Sequence, residues 1–330
     1  MSKLVTIYGG SGFVGRYIAQ RMARAGWRVR VAVRNPNEAL FVKPYGVVGQ
    51  VEPVLCNIRD DASVRAALSG ADAVVNCVGI LAESGKNKFD AVQAEGAARV
   101  ARLAAENGVG RMVHISAIGA DADADADSEY AVSKAAGEAG VLEHMPNAVI
   151  LRPSIVFGPE DGFFNRFAGM TRISPVLPIA GGNIEFQPVY VGDVAEAAEM
   201  GVTGKAASGV YELGGPQKET MRGLMQRMLD VIHRRRLIVN LPNWIAGIIA
   251  WGFDMVQAVT GGLVSNGVLT RDQLKNLRKD NVVAQDAKGL KELGITPVAM
   301  DAVLVDYLWR FRPSGQYDAI KDSAQNLRNS

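Results

Sequence analysis

Residues 1–15 read MSKLVTIYGGSGFVG. Lys3 to Tyr8 predicts a short buried strand, Gly9-Gly10-Ser11-Gly12-Phe13-Val14-Gly15 a glycine turn, and Val14 to Arg24 a helix. A glycine triplet set between a strand and a helix is the context of a dinucleotide site. Gly9 permits the tight turn, Gly12 lets backbone approach a pyrophosphate, and Gly15 lets the helix lie close to the strand. The helix N-terminus then offers free N–H groups and a partial positive charge to phosphate.

The strand–helix rhythm continues from this start. Arg28–Arg34, Val51–Cys56, Ala73–Cys77, Arg111–Ser116 and Ala148–Arg152 read as strands. Asp61–Leu68, Phe89–Asn107 and Glu129–Glu143 read as helices, the second ended by Gly108. Alternation of this kind specifies an α/β fold, a doubly wound parallel sheet of Rossmann type with helices on both faces. A helix around Asp193–Met200 and a strand at Val210–Leu213 return to it. The Rossmann domain is therefore expected over 1–158, completed by about 189–216. The stretches 159–188 and 217–330 are expected as a smaller, irregular C-terminal lobe ending in a polar, extended tail after Arg312.

Bulk properties fit this class. Of 330 residues, 48% are apolar and 21% charged, enough for a substantial core. A net charge of +2 argues against a nucleic-acid binder. Cys56 and Cys77, the only cysteines, each follow an apolar strand and read as buried reduced thiols. His114, His144 and His233 lack metal-ligand spacing, so no metal is expected. A chain that begins on a core strand is expected to carry no leader peptide.

The second strand bears on which dinucleotide is held. An NAD site commonly has an acid about 20 residues past the glycines, on the ribose 2′-hydroxyl. Here the strand ends Val33-Arg34-Asn35-Pro36, with no acid. A guanidinium at Arg34 can pair bidentately with a 2′-phosphate, so NADPH is expected over NADH.

Ser116, Tyr130 and Lys134 form the next constellation. Tyr130 and Lys134 stand at i and i+4 on one helix face. An ammonium beside a phenol favours phenolate, the Lys can also bond a nicotinamide ribose, and Ser116 at a strand end can orient a carbonyl. That is acid–base chemistry for hydride transfer.

These residues resemble the short-chain dehydrogenase/reductase superfamily in its extended or atypical branch. The resemblance rests on Gly9–Gly15, Asn76-Cys77-Val78-Gly79, Ser116, the Tyr130/Lys134 pair, Arg152-Pro153-Ser154-Ile155-Val156-Phe157-Gly158 and Gln187–Ala195. It implies cofactor contacts from Gly9, Gly10, Ser11, Gly12, Phe13, Val14, Gly15, Asn57, Val78, Gly79, Ser116, Tyr130, Lys134, Pro153 and Ile155. Three positions depart from the pattern: Tyr8 for the usual Thr, Asn57 for an adenine-contacting Asp, and Gln93 for an Asn.

A narrower resemblance is to the Rossmann-type accessory subunits of respiratory complex I. It is carried by RPSIVFGPED (152–161), FFNRFAGMTRI (163–173), FQPVYVGDV (186–194), LPNWIAGIIAWG (241–252) and LTRDQ (269–273). It implies an NADPH-holding structural subunit of NADH:ubiquinone oxidoreductase, peripheral on the cytoplasmic face of a bacterial inner membrane, with the Ser/Tyr/Lys set vestigial. The alternative is an NADPH-dependent reductase, epimerase or dehydratase acting on a small substrate.

Three further stretches bear on that choice. Asp121, Asp123, Asp125 and Asp127 alternate with Ala, but Ala126 and Val132 stand where a calcium loop needs Gly and Glu. Beside Tyr130 such a loop would repel an anionic sugar nucleotide. The apolar run Trp244–Phe253 is too short to span a bilayer. Its stripe continues through Met255, Val256 and Val259 at helical spacing, suiting a small-lobe core or a partner- or membrane-facing helix. Arg234, Arg235 and Arg236 suit anionic lipid headgroups, an acidic partner, or simple solvation.

Overall fold

A computed structural model describes residues 2–120, 128–242, 279–313 and 315–317. The four alternating aspartates, the apolar stripe from Trp244, the LTRDQ segment and the tail beyond Tyr317 lie outside the described residues.

The first strand, β1 (Leu4–Tyr8), is buried throughout, and α1 (Phe13–Arg24) follows it across the glycine turn. Then come β2 (Arg28–Val33), β3 (Val51–Leu55), α2 (Asp61–Leu68), β4 (Ala73–Asn76), α3 (Glu95–Glu106), β5 (Arg111–Ile115), α4 (Glu129–His144) and β6 (Val149–Pro153). Two-residue β7 (Val156–Phe157) leads to α5 (Phe164–Met170), β8 (Val176–Ile179), β9 (Glu185–Phe186) and β10 (Val189–Tyr190). After α6 (Val191–Thr203) and β11 (Gly209–Leu213) come β12 (Glu219–Thr220), α7 (Met221–Val231), β13 (Leu237–Asn240) and α8 (Met300–Leu308).

Seven strands form one sheet in the order β11-β6-β5-β4-β1-β2-β3, every pair parallel. The chain starts in the middle and winds outward both ways, so the order reverses between β1 and β4. A ligand crevice opens at that reversal, beyond the strand C-termini. Period-two alternation divides the sheet between two cores. Val113, Ile115, Val149 and Leu151 face α1 and α6. Met112 and Ile150 face α2, α3 and α4.

The described residues of the stretches expected to be irregular, 159–188, 217–242 and 279–313, form helices and short strands instead. Phe157, Phe164, Phe167 and Leu177 pack with Met221, Leu224, Met225, Met228, Met300, Leu304 and Tyr307 in a third core. α7 buries Met221, Leu224, Met225, Met228 and Leu229, a helical period, with Thr220 accepting the Gly223 N–H at its N-terminus. Beyond Arg312, Gly315–Tyr317 is a single 3₁₀ turn rather than extended chain. The helix expected over Phe89–Asn107 opens as a π-turn at Asp90–Ala94 before α3 begins. A 3₁₀ segment also occupies Pro36–Tyr45, between β2 and β3. No helix among the described residues is long and apolar enough to cross a membrane.

Candidate functional site

Backbone bonds close the glycine turn. Gly9 N–H donates to Ala32 O at 3.0 Å, and Gly12 N–H to Gly9 O at 2.9 Å. Gly9 has φ +73°, which favours glycine. A Cβ on Gly15 would lie 2.4 Å from Gly9 O and 2.8 Å from Gly10 Cα, so only glycine lets α1 approach β1 this closely. Gly12 differs: the one atom near its Cβ position is Gly9 O, at 3.1 Å. It caps α1 without a side-chain bond, and the first turn holds no acid. The N-terminus of α1 is thus left open to an anion. Ser11, Phe13 and Val14 lie half-buried along this edge.

Arg16, which the sequence did not single out, braces the turn. Its guanidinium bonds Gly12 O at 3.3 Å and Ser11 O at 3.1 Å and stacks on Phe41 at 4.7 Å. Glu160 lies 3.8 Å away and accepts the Tyr17 hydroxyl at 2.8 Å.

Arg34 follows the end of β2. It is exposed and has no side-chain hydrogen bond or ion pair among the described residues. Asn57 follows β3, and its Oδ1 accepts the Arg59 N–H at 3.2 Å, closing its own turn. Across the crevice, Val78 N–H donates to Asn76 Oδ1 at 3.1 Å. Gly79 is exposed, and a Cβ there would sit 3.2 Å from Lys134 Nζ. Its lack of a side chain therefore keeps open the space beside that ammonium.

Lys134 draws the second half of the site together. Its Nζ donates to Ile115 O at 3.3 Å, next to Ser116, and lies 6.0 Å from the Tyr130 ring centre. Tyr130 packs edge-on against Phe89 at 5.9 Å. The three expected residues thus converge at the end of β5. Lys134 is buried, and burial pulls its ammonium down to about 8, against the opposing pull of Glu138 and Cys77. Burial also pushes the Cys77 thiol up to about 12.

Buried polar groups surround Lys134. His114 Nδ1 lies 3.2 Å from Asn76 Nδ2, and burial, then the Lys134 charge, holds the imidazole at about 3 and neutral. With Asn76 donating to Nδ1, the ring proton sits on Nε2. Gln93, in the π-turn, reaches Ser133 Oγ at 3.3 Å. His114 Nε2, Ser116 Oγ and Gln93 Oε1 are all buried with no hydrogen-bond partner. Such atoms are costly unless a ligand or water meets them, so this corner is built to receive a polar group. A nucleotide fits both halves, the open α1 terminus at its phosphates and the Ser116/Lys134 corner at its far end. Sequence could not show these contacts, because Gln93 meets Ser133 on α4 and His114 meets Asn76 on β4 only once the chain is folded.

Beneath Lys134, Glu138 holds Arg152 through two bonds of 2.9 and 2.6 Å, and Glu212 approaches to 3.7 Å. Pro153 ends β6 and Ile155 lies on the third core. Ser154 between them meets Asn281 O and Oδ1 at 2.9 and 2.7 Å. Asn281 also bonds Ile118 O and Glu185 O, tying the returning chain over the strand ends. The described residues contain no group of His, Cys, Asp or Glu able to hold a metal.

Sheet order, glycine turn and the Ser116/Tyr130/Lys134 corner define a Rossmann protein of short-chain dehydrogenase/reductase type. The chain belongs to the NAD dependent epimerase/dehydratase family, whose pattern matches residues 5–214. It is 33% identical over 318 residues to the mitochondrial NADH dehydrogenase [ubiquinone] 1 alpha subcomplex subunit 9 of Arabidopsis thaliana, covering 94% of this chain and 79% of the relative. It is 30% identical over 314 residues to the mitochondrial NADH-ubiquinone oxidoreductase 40 kDa subunit of Neurospora crassa, covering 95% and 80%. At that likeness it belongs to one family with these two subunits. Among solved structures, the NAD complex of UDP-glucose 4-epimerase from Thermus thermophilus shares the fold, with TM-score 0.66, 20% identity, and 94% and 99% of the two chains covered. Family and cradle together support a nucleotide cofactor.

Proposed function

We propose that this chain is an NADPH-binding structural accessory subunit of NADH:ubiquinone oxidoreductase, stabilising the peripheral arm near the membrane without doing redox chemistry itself. Likeness to two complex I subunits over nearly the whole chain carries this reading. The other subunits of that complex are its partners, it sits on the cytoplasmic face of a bacterial inner membrane, and it contacts surface lipids there. Residues 1–158 with about 189–216 form the nucleotide domain, and 159–188 with 217–330 the second lobe.

In this reading Gly9–Gly15 hold the pyrophosphate at the open end of α1. Arg34, with no partner of its own among the described residues, pairs with the 2′-phosphate. Asn57 lies toward the adenine. Val78, Gly79, Pro153 and Ile155 line the crevice beyond, and Ser116, Tyr130 and Lys134 meet the nicotinamide end. A bound nicotinamide supplies hydride chemistry in enzymes of this class. Here the nucleotide serves as a ligand of the folded state and adds stability by mass action, about 4 kcal/mol at a thousandfold excess over Kd.

The second reading is an NADPH-dependent enzyme on a small substrate, favoured by one observation: the buried Ser116 Oγ has no partner while Lys134 stands beside it. There Tyr130 moves the proton with the Lys134 ammonium 6.0 Å from its ring centre, and Ser116 orients the carbonyl.

Nucleotide extraction from purified protein tests the cofactor. NADPH is expected, and Arg34→Asp is expected to weaken NADPH far more than NADH. NAD alone in the extract, or equal losses, contradicts the assignment.

A further inference from the structure

The turns that precede β8 and β13 lie side by side. These strands pair in parallel with Leu237 opposite Val176, and Leu237 N–H donates to Pro175 O at 3.1 Å. The register therefore sets Arg172-Ile173 against Arg234-Arg235-Arg236-Leu237 at one edge of the second lobe. Arg236 Nε fixes the junction by donating to Thr171 O at 2.9 Å, and Arg234 Nε donates to Phe311 O at 2.8 Å. Both guanidiniums are thus anchored to main-chain carbonyls instead of to acids.

None of Arg172, Arg234, Arg235 and Arg236 has an ion pair among the described residues. The acid nearest in sequence, Asp230, accepts from Gln226 at 2.9 Å. Burial, then the charges of Arg236 and Arg172, pushes the Arg234 guanidinium below its ordinary value, as mutual repulsion requires. Apolar side chains stand out between these cations: Ile173 is 92% exposed, Leu237 65% and Val176 36%. Single exposed aliphatics are ordinary on a protein surface. Three of them at one edge, beside four arginines with no ion pair among the described residues, are not.

We infer that this edge, Arg172, Ile173 and Val176 with Arg234–Leu237, is a docking surface for an anionic lipid bilayer. Arginines that lack carboxylates are drawn to anionic headgroups, and each adds a similar increment near such a surface. A side chain as protruding as Ile173 needs a soft apolar acceptor, which the boundary between headgroups and acyl chains supplies. The two terms together give weak, reversible, salt-sensitive attachment rather than insertion. The inference rests on the membrane-proximal placement proposed above and names the surface and lipid charge that produce it.

Vesicle flotation of the purified, nucleotide-loaded chain tests it apart from any other subunit. Vesicles of phosphatidylcholine with about a third phosphatidylglycerol are expected to carry the protein at low salt. Pure phosphatidylcholine vesicles should carry at least tenfold less, and 0.5 M NaCl should release it. Arg172→Glu with Arg235→Glu alters two exposed side chains that make no side-chain hydrogen bond or ion pair among the described residues. It is expected to lower binding at least tenfold with Tm and nucleotide content unchanged. Ile173→Ser with Leu237→Ser is expected to lower binding at constant charge. Equal binding to neutral vesicles, no binding to anionic ones, or wild-type binding by the double charge reversal overturns the inference. If vesicles fail while that charge reversal releases the chain from the respiratory complex on native gels, the surface docks an acidic protein instead and the subunit reading stands. Intact assembly on native gels depends on the subunit reading alone, so the two fail separately.

Discussion

The two ends of the crevice are built by opposite means. At the β1–α1 turn nearly every contact is main chain to main chain, and Gly9, Gly12 and Gly15 act by lacking side chains. At the β5–α4 corner side chains from β4, β5, the π-turn and α4 converge, and three of their polar atoms stay unpaired in a buried place. The first end holds its shape by main-chain bonds and close packing, with the N-terminus of α1 still open to an anion. The second is stabilised by whatever polar group reaches it. Under the structural role proposed above, both ends are kept, because the unpaired corner rewards occupancy even where nothing turns over.

The largest expected effect comes from breaking the backbone end. Gly15→Ala forces a Cβ to 2.4 Å from Gly9 O and is expected to cost about 3 kcal/mol. Gly12→Ala meets only one atom, at 3.1 Å, and should cost under about 1 kcal/mol while lowering nucleotide affinity. Denaturant titrations of the apo protein, paired with nucleotide binding, separate the two. Equal destabilisation would mean that the turn is one steric unit and that Gly12 is not reserved for ligand.

Next in size is the ion pair beneath the corner. Glu138 is 5% exposed and bonds Arg152 twice. Glu138→Gln leaves the guanidinium only the longer contact to Glu212, at 3.7 Å, and is expected to cost about 3 kcal/mol, read in the same titrations. A loss within about 0.5 kcal/mol of wild type, the noise of surface substitutions, would show that Glu212 alone balances Arg152.

The corner should also register in the pH dependence of apo stability. Lys134 is held at about 8 against an ordinary 10.5. Between those values the unfolded chain binds more protons, so stability rises with pH across that window. His114 is held at about 3 against 6.5. Its contribution is complete above 6.5 and lost as pH falls toward 3. Lys134→Met is expected to flatten the alkaline rise and His114→Gln to soften the acid loss. Unchanged profiles would show that these groups are solvated in the apo protein.

Arg34 gives the smallest effect on stability and the sharpest on ligand choice. With no side-chain partner among the described residues, Arg34→Ala should stay within about 0.5 kcal/mol in stability. It is expected to lose roughly tenfold or more in NADPH affinity, the worth of a charge-assisted bond, with little change for NADH. Isothermal titration with both nucleotides reads this directly.

The same contrast explains what the sequence made legible. Strand, turn and helix at residues 4–24 follow from local chemistry, since a positive φ at Gly9 and close packing at Gly15 leave marks in residue type. The parallel strands were legible as short apolar runs between helices. Ser116, Tyr130 and Lys134 were found because two of them share a helix face and the third ends a strand. His114 was not, because its partner Asn76 stands on another strand. Gln93 was legible only as a departure from the family pattern, since its partner Ser133 lies on α4. Arg16 reaches back to its own turn but meets Phe41 from a distant segment. The second lobe read as irregular because β9 and β12 have two residues each, too few for a period. α7, by contrast, carried a readable signal in Thr220 and the spacing Met221, Leu224, Met225, Met228.

The account's central claim is that the nucleotide holds shape and the corner does no chemistry. The direct test is to replace the gene by variants carrying Tyr130→Phe or Gly12→Trp, then measure complex I content on native gels and quinone reductase activity in the same membranes. Tyr130→Phe keeps the ring against Phe89 and is predicted to leave assembly and activity at wild-type levels. Gly12→Trp, blocking the pyrophosphate, is predicted to lower both together. A Tyr130→Phe strain that assembles normally, retains its nucleotide and loses activity would contradict the claim.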